Sequence, residues 1–259
     1  MKKLGLALGS GGSRGLAHVG FLKALEENGI KPSFISGCSM GAVVGACYAN
    51  GMSPDVMLKT AQFLKKKDLL DISMSPITSG AILRSEKVTK IFEKLYQGKN
   101  IEDLSIPYAC IGADIISGNK VVFNQGSVAT AVRASSAIPL VFKPVEYDDM
   151  IIADGGVLCR LPVQECRDLG ADVVICMDVL GPLREMGDIK NIFSYFLRLI
   201  DVYDNRITSL LHEREAADLT LTPDMGEVSQ YKVDNVTYCY QQGYDCAMKK
   251  MDEIKALLK

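Results

Sequence analysis

Two pentapeptides in this 259-residue chain have the spacing Gly-x-Ser-x-Gly: Gly11-Gly12-Ser13-Arg14-Gly15 and Gly37-Cys38-Ser39-Met40-Gly41. A serine becomes a usable nucleophile at the apex of a sharp strand-to-helix turn, where its hydroxyl is exposed. That turn needs small residues two positions to either side. The helix behind it points its first N–H groups at developing negative charge. The pattern alone is weak, so its surroundings decide. Ser39 directly follows a strand-like run, 33–36, and directly precedes an almost wholly apolar helical run, 42–50. Ser13 is separated by four residues from the end of the first apolar run at Leu8, which reads as an extended glycine loop. Consecutive glycines let backbone N–H groups face outward as an anion nest. Ser39 is therefore the expected nucleophile, Gly37 and Gly41 its small neighbours, and Gly11 and Gly12 the expected oxyanion donors. A plain strand–helix turn is the other reading of the first loop.

A hydroxyl nucleophile needs a proton acceptor. The chain has two histidines, His18 and His212, and neither follows a strand end. His18 lies one turn into the first helical run, where a structural role is expected. His212 sits in a charged stretch with Glu213, Arg214 and Glu215 that reads as solvated. A carboxylate base is the alternative to histidine. Asp154 is best placed, because it ends the apolar run 150–153 and is followed by Gly155-Gly156; Asp114, after 110–113, is its rival. Other uses of the glycine loop fit poorly. Gly9-x-Gly11-x-x-x-Gly15 departs from the dinucleotide fingerprint, and no Gly-Lys-Ser/Thr follows.

The elements around these residues have a simple order. Strand, turn and helix occur twice within the first 50 residues, which indicates a mostly parallel sheet covered by helices. Residues 53–104 read as helical and more polar, with Lys65-Lys66-Lys67 on a solvated face. Strands are expected at 107–114 and 120–124, a short helix at 128–136, and strands at 150–153 and 172–177, the last taken as the final core strand. Helices are expected at 191–211 and 235–258. Residues 191–211 carry an apolar stripe that includes Phe193, Phe196, Leu197, Ile200 and Tyr203. It is expected to be buried against the body or a second subunit, making a homodimer the second way to cover it. Arg198 and Arg206 are balanced by Asp201 and Asp204, so at most peripheral membrane contact is expected.

Composition narrows the classes. Hydrophobic residues make up 48%, and 29 basic against 31 acidic residues leave a net charge of −2. That balance argues against nucleic acid as a partner. The eight cysteines form no CxxC pair and lie in apolar segments, so they are expected as reduced core thiols, with no metal site. The apolar stretch after Lys2-Lys3 is too short for an export signal, so a cytoplasmic location is expected. No repeat or linker is visible, so residues 1–259 are expected to form one domain.

In order, Ser10-Gly11-Gly12-Ser13-Arg14-Gly15, Gly37-Cys38-Ser39-Met40-Gly41, Ala134-Ser135-Ser136-Ala137-Ile138-Pro139 and Asp154-Gly155-Gly156 resemble the motifs of bacterial patatin-like phospholipases. The resemblance covers most of residues 5–167 and leaves 168–259 for the last core strand and C-terminal helices. It implies a three-layer α/β/α fold with a mostly parallel central sheet. It also implies a Ser39–Asp154 dyad and an oxyanion hole around Gly11 and Gly12 with Arg14 adding positive field. A lipid or acyl-ester substrate and no cofactor are implied as well. Two positions depart from the family pattern: Ser10, where glycine is usual, and Cys159-Arg160 before Leu161-Pro162, where asparagine often precedes the proline. An idle regulatory module on the same fold and acyl transfer to an acceptor other than water are the rival functions.

Overall fold

The computed structural model describes residues 2–63, 81–83, 86–185, 189, 191–212, 216–232 and 235–259. Lys65-Lys66-Lys67, residues 213–215 and the side chain of His212 lie outside the described residues. The first two strand–helix units form as read: β1 (Leu4–Leu8), α1 (Ala17–Glu27), β2 (Phe34–Cys38) and α2 (Met40–Ala49). There follow α3 (Pro54–Phe63), β3 (Ala81–Leu83), α4 (Glu86–Tyr96), β4 (Tyr108–Asp114), β5 (Lys120–Phe123) and α5 (Val128–Ser135). The second half contains β6 (Leu140–Phe142), β7 (Val145–Tyr147), β8 (Met150–Asp154), α6 (Val163–Asp168), β9 (Val173–Met177), α7 (Ile192–His212), β10 (Leu219–Leu221), α8 (Val236–Lys249) and α9 (Met251–Leu257).

The main sheet has the order β10-β9-β1-β2-β4-β8-β7, with β5 also paired to β4. Strands β10, β9, β1, β2 and β4 run parallel, and β5, β8 and β7 join antiparallel. Both faces are covered, as a parallel sheet requires. On β1, Leu4, Leu6 and Leu8 belong to the large core under α1, α2 and α8, whereas Ala7 belongs to a second core with Val163 and Cys166 of α6. This alternation along one strand is the three-layer α/β/α arrangement expected from sequence. All eight cysteines are free thiols, seven of them buried.

Four short strands escaped the sequence reading. β3, β6, β7 and β10 are three residues each, too few to display alternation. β10 pairs with β9, so the strand at 172–177 is not the last one of the sheet. The C-terminal helix is also interrupted, at Lys250, between α8 and α9. Among the described residues no helix is long and apolar enough to cross a membrane.

The stripe on α7 is only partly covered by this chain. Leu197 is buried, but Phe196 is 46%, Tyr203 63% and Leu210 45% exposed. Burial of the whole stripe against the body is therefore not what the structure shows. The helix lies along the edge of the molecule and commits only one side to it.

The N- and C-terminal parts are joined where α1 crosses α8. A Cβ on Gly20 would stand 1.9 Å from the Tyr240 carbonyl oxygen, and one on Gly243 would stand 1.9 Å from that of Ala17. Neither backbone can retreat without separating the helices. Gly243→Ala is therefore expected to destabilise the protein by about 1–3 kcal/mol through overpacking, more than the ~1 kcal/mol that alanine offers a helix interior. Urea unfolding reads this directly, and a midpoint equal to or above that of the parent would contradict it.

Candidate active site

Strand β4 brings the two expected functional residues together. One edge of β4 pairs with β5 through Cys110–Ala113. The other edge is shared: β2 occupies Tyr108–Ile111 and β8 occupies Gly112–Asp114. β2 runs parallel to β4 and β8 antiparallel, so their C-terminal ends meet head to head. Cys38 pairs with Ile111, and Asp154 with the next residue, Gly112. Ser39 and Asp154 thus leave the sheet at the same point, although 115 residues separate them in sequence.

Ser39 has the backbone of a nucleophile elbow. Its φ of 52° and ψ of −119° lie where a residue with a Cβ is strained. The turn is tight enough that a Cβ on Gly41 would stand 2.0 Å from the Leu8 carbonyl oxygen, and one on Gly37 2.5 Å from Ala42 Cα. The Ser39 amide donates to Ser135 Oγ at 3.0 Å, tying the elbow to the end of α5. Ser39 Oγ donates to Asp154 Oδ2 at 2.6 Å. Asp154 Oδ1 accepts from the Gly156 amide at 2.8 Å. Both side chains are buried. Burial pushes the Asp154 carboxyl up to about 6, against the hydrogen bonds from Ser39, Gly156 and Cys38 that favour its charged form.

The glycine loop lies opposite. The Ser10 amide donates to the Arg160 carbonyl and the Ser13 amide to the Gln230 carbonyl, while the amides of Gly11 and Gly12 have no acceptor among the described residues. Gly12 is left-handed, φ +51°, and a Cβ there would strike the Gln230 carbonyl. Gly11, Gly12, Ser39 and Asp154 line one cavity of about 50 Å³. Its cover is made by Ile200, Asp201 and Asp204 of α7 together with Gln230 and Tyr231.

Several expectations change here. The first loop is not extended: residues 12–16 form a 3-10 turn. That turn swings Ser13 and Arg14 sideways, away from the cavity. Ser13 Oγ donates to the Ser229 carbonyl at 3.0 Å, and Arg14 Nε to the Val228 carbonyl at 2.7 Å. Arg14 does not line the cavity, and burial lowers its pKa. Asp114, the rival base, accepts from Ser117 and from the amides of Ile116 and Ile151, and so caps the β4–β5 hairpin. His18 is fully buried, with Nε2 donating to the Gly9 carbonyl at 2.8 Å, and desolvation lowers its pKa to about 4.

The sequence reading missed the residues of the cover. Asp201 Oδ1 accepts from Tyr231 Oη at 2.6 Å and from Gln230 Nε2 at 2.9 Å. Asp204 Oδ2 accepts from Arg160 Nη1 at 3.1 Å, and Arg160 Nη2 also donates to Asp178 Oδ2 at 2.7 Å. Burial lifts the Asp204 carboxyl to about 6, against the attraction of Arg160. Two acids three residues apart on an otherwise apolar helix face were the available signal. Arg160, one of the two departures from the family pattern, is the partner of Asp204, and Ser10, the other, lines the cavity wall.

A family model of patatin-like phospholipases matches residues 6–167. An NTE family protein of Mycobacterium bovis is 39% identical over 179 residues, which is 69% of this chain and 49% of that protein. The mouse patatin-like phospholipase domain-containing protein 6 is 34% identical over 184 residues, 68% of this chain and 13% of that protein. The chain therefore spans about half the length of the mycobacterial relative. Among solved structures, VipD from Legionella pneumophila superposes with a TM-score of 0.63 at 16% identity, over 97% of this chain and 67% of VipD. The type III effector ExoU gives 0.52 at 16% identity, over 97% of this chain and 53% of ExoU. The two structural likenesses speak for the fold, and the family match together with the sequence identities decides the membership: this chain belongs to the patatin-like phospholipase family.

Proposed function

We propose that this chain is a serine acyl hydrolase of lipid esters working through a Ser39–Asp154 dyad. The observation that carries this reading is the 2.6 Å hydrogen bond from Ser39 Oγ to Asp154 Oδ2, made in a cavity also lined by Gly11 and Gly12, whose amides have no acceptor among the described residues. Ser39 Oγ attacks the ester carbonyl carbon while its proton passes to Asp154 Oδ2. The Gly11 and Gly12 amides hold the oxyanion of the tetrahedral intermediate. Its collapse breaks the ester C–O bond, and the leaving alkoxide takes the proton from Asp154. Water then attacks the acyl-enzyme, Asp154 accepts its proton, and the carboxylic acid leaves as Ser39 is restored.

The raised pKa of Asp154 helps this chemistry. A carboxylate with an ordinary pKa near 4 is a weak base toward a hydroxyl, and one near 6 is closer to the operating pH. The amide donors supply the rest, each typically worth ~10²–10³ in turnover. The expected substrates are phospholipids, lysophospholipids and simpler acyl esters, in keeping with the family. Arg14 stands outside the cavity, bonded to the Val228 carbonyl, and its charge acts on the cavity-lining Asp201.

Ser39→Ala is expected to abolish ester hydrolysis, by roughly a thousandfold or more. It should also abolish labelling by a fluorophosphonate probe. Ser13→Ala loses one hydrogen bond worth about 1 kcal/mol and should keep most of the activity. The opposite pattern, with Ser13→Ala inactive and Ser39→Ala labelled, would exchange the two motifs. Ester turnover against a panel of phospholipid, lysophospholipid and short-chain substrates, with products identified by mass, reads both variants.

Asp154→Asn is expected to be nearly as damaging as Ser39→Ala, since the amide has similar shape but cannot take the proton. The active form has Asp154 ionised, so kcat/KM should fall as pH drops through about 6. That limb should persist in His18→Gln and in His212→Ala. Its disappearance in either variant would point to a histidine base.

A further inference from the structure

Helix α7 has two faces of opposite character. On the inner face Asp204 meets Arg160, Asp201 meets Tyr231 and Gln230, and Leu197 is buried. Ile200 lies at the boundary, where it lines the cavity that holds Ser39. Turning outward from Ile200 at about 100° per residue, the helix next presents Phe196 and Tyr203, then Ile192 and Leu210, and then Arg206. Phe196 is 46%, Tyr203 63%, Ile192 70% and Leu210 45% exposed. Arg206 is exposed as well.

This arrangement changes the electrostatic character of the helix. Counted along the sequence, Arg198 and Arg206 are cancelled by Asp201 and Asp204. In the fold both acids turn toward the body, and Arg206 remains at the outer edge of the apolar strip. What the strip shows to its surroundings is apolar, aromatic and positive.

We infer that this strip of α7 is the surface by which the protein docks on an anionic phospholipid bilayer. A helix with a bulky apolar strip and cations along its edge lies at the boundary between headgroups and acyl chains, with tyrosine rings at headgroup level. The strip is continuous with the cavity wall through Ile200, so the docked helix would hold the Ser39 cavity beside the bilayer. A second copy of this chain is the other occupant. Tyr195 and Val202, 45% and 39% exposed, lie just beyond Arg206 and widen the outward patch, so sedimentation decides between the two occupants. The choice of lipid as occupant rests on the acyl hydrolase reading above.

The test is flotation of Ser39→Ala protein with vesicles of phosphatidylcholine alone and of phosphatidylcholine with one-quarter phosphatidylglycerol. Using that variant leaves the lipid intact, so a failure to float counts against the strip and not against the hydrolase chemistry, which the probe and turnover measurements decide. Stronger flotation with the anionic vesicles is expected. Adding Phe196→Ser and Tyr203→Ser should weaken binding to both vesicles by on the order of tenfold or more. Adding Arg206→Gln should weaken binding to the anionic vesicles alone, by about fivefold. Far-UV circular dichroism and the urea midpoint confirm that the variants remain folded. No flotation, equal flotation on both vesicles, or flotation that none of these substitutions changes would overturn the inference. So would a dimer in sedimentation that the Phe196→Ser, Tyr203→Ser pair dissociates, because the strip would then be a subunit seam.

Discussion

One edge of β4 is divided between two strands that approach from opposite directions, and the candidate site depends on that division. β2 ends at Cys38 beside Ile111, and β8 ends at Asp154 beside Gly112. Two strand ends that abut on a common neighbour have no room to continue, so each chain must leave the sheet there. β2 leaves through the elbow at Ser39, and β8 leaves through the Gly155-Gly156 turn. The distance between hydroxyl and carboxylate is fixed by the repeat of the hydrogen-bond ladder, which is among the stiffest spacings a protein has.

That geometry carries strain, and the surrounding packing holds it. Ser39 keeps a left-handed backbone because its amide is bonded to Ser135, its side chain to Asp154, and the helix behind it starts at once. The missing Cβ atoms at Gly37 and Gly41 let α2 lie close against the ends of β1 and β2. The Asp154 carboxylate is held in a dry place by a backbone amide and a hydroxyl, and its raised proton affinity is the result of that burial. Nearby thiols stay neutral for the same reason: desolvation pushes the Cys38 pKa well up, so Cys38 is no competing nucleophile beside the serine.

The parts of this arrangement that were legible in the sequence are those with local causes. Ser39, Gly37 and Gly41 announce a tight turn by size, and Asp154 by its place between an apolar run and two glycines. The larger strands and helices follow from periodicity. The extended shape expected for the first loop fails because Ser13 and Arg14 are bonded to residues 228–230, more than 210 positions away, where residues 12–16 form a 3-10 turn. The facing of α7 was equally hidden. Asp204 turns inward to the buried Arg160 and Asp201 to Gln230 and Tyr231, and nothing local to 191–211 shows those partners. The three-residue strands β3, β6, β7 and β10 exist through their neighbours and have no pattern of their own.

The crossing of α1 over α8 separates two boundaries that are easily taken for one. Every motif of the family lies within residues 6–167, yet α1, inside that span, is in backbone contact with α8 at 236–249. β9 and β10, also outside the span, cover the flank of β1. A fragment cut at residues 6–167 would contain Ser39, Asp154 and the glycine loop and still expose one side of its first strand and one face of its first helix to water. The family span therefore ends well before the packing that supports it, which runs on through β9, β10 and α8.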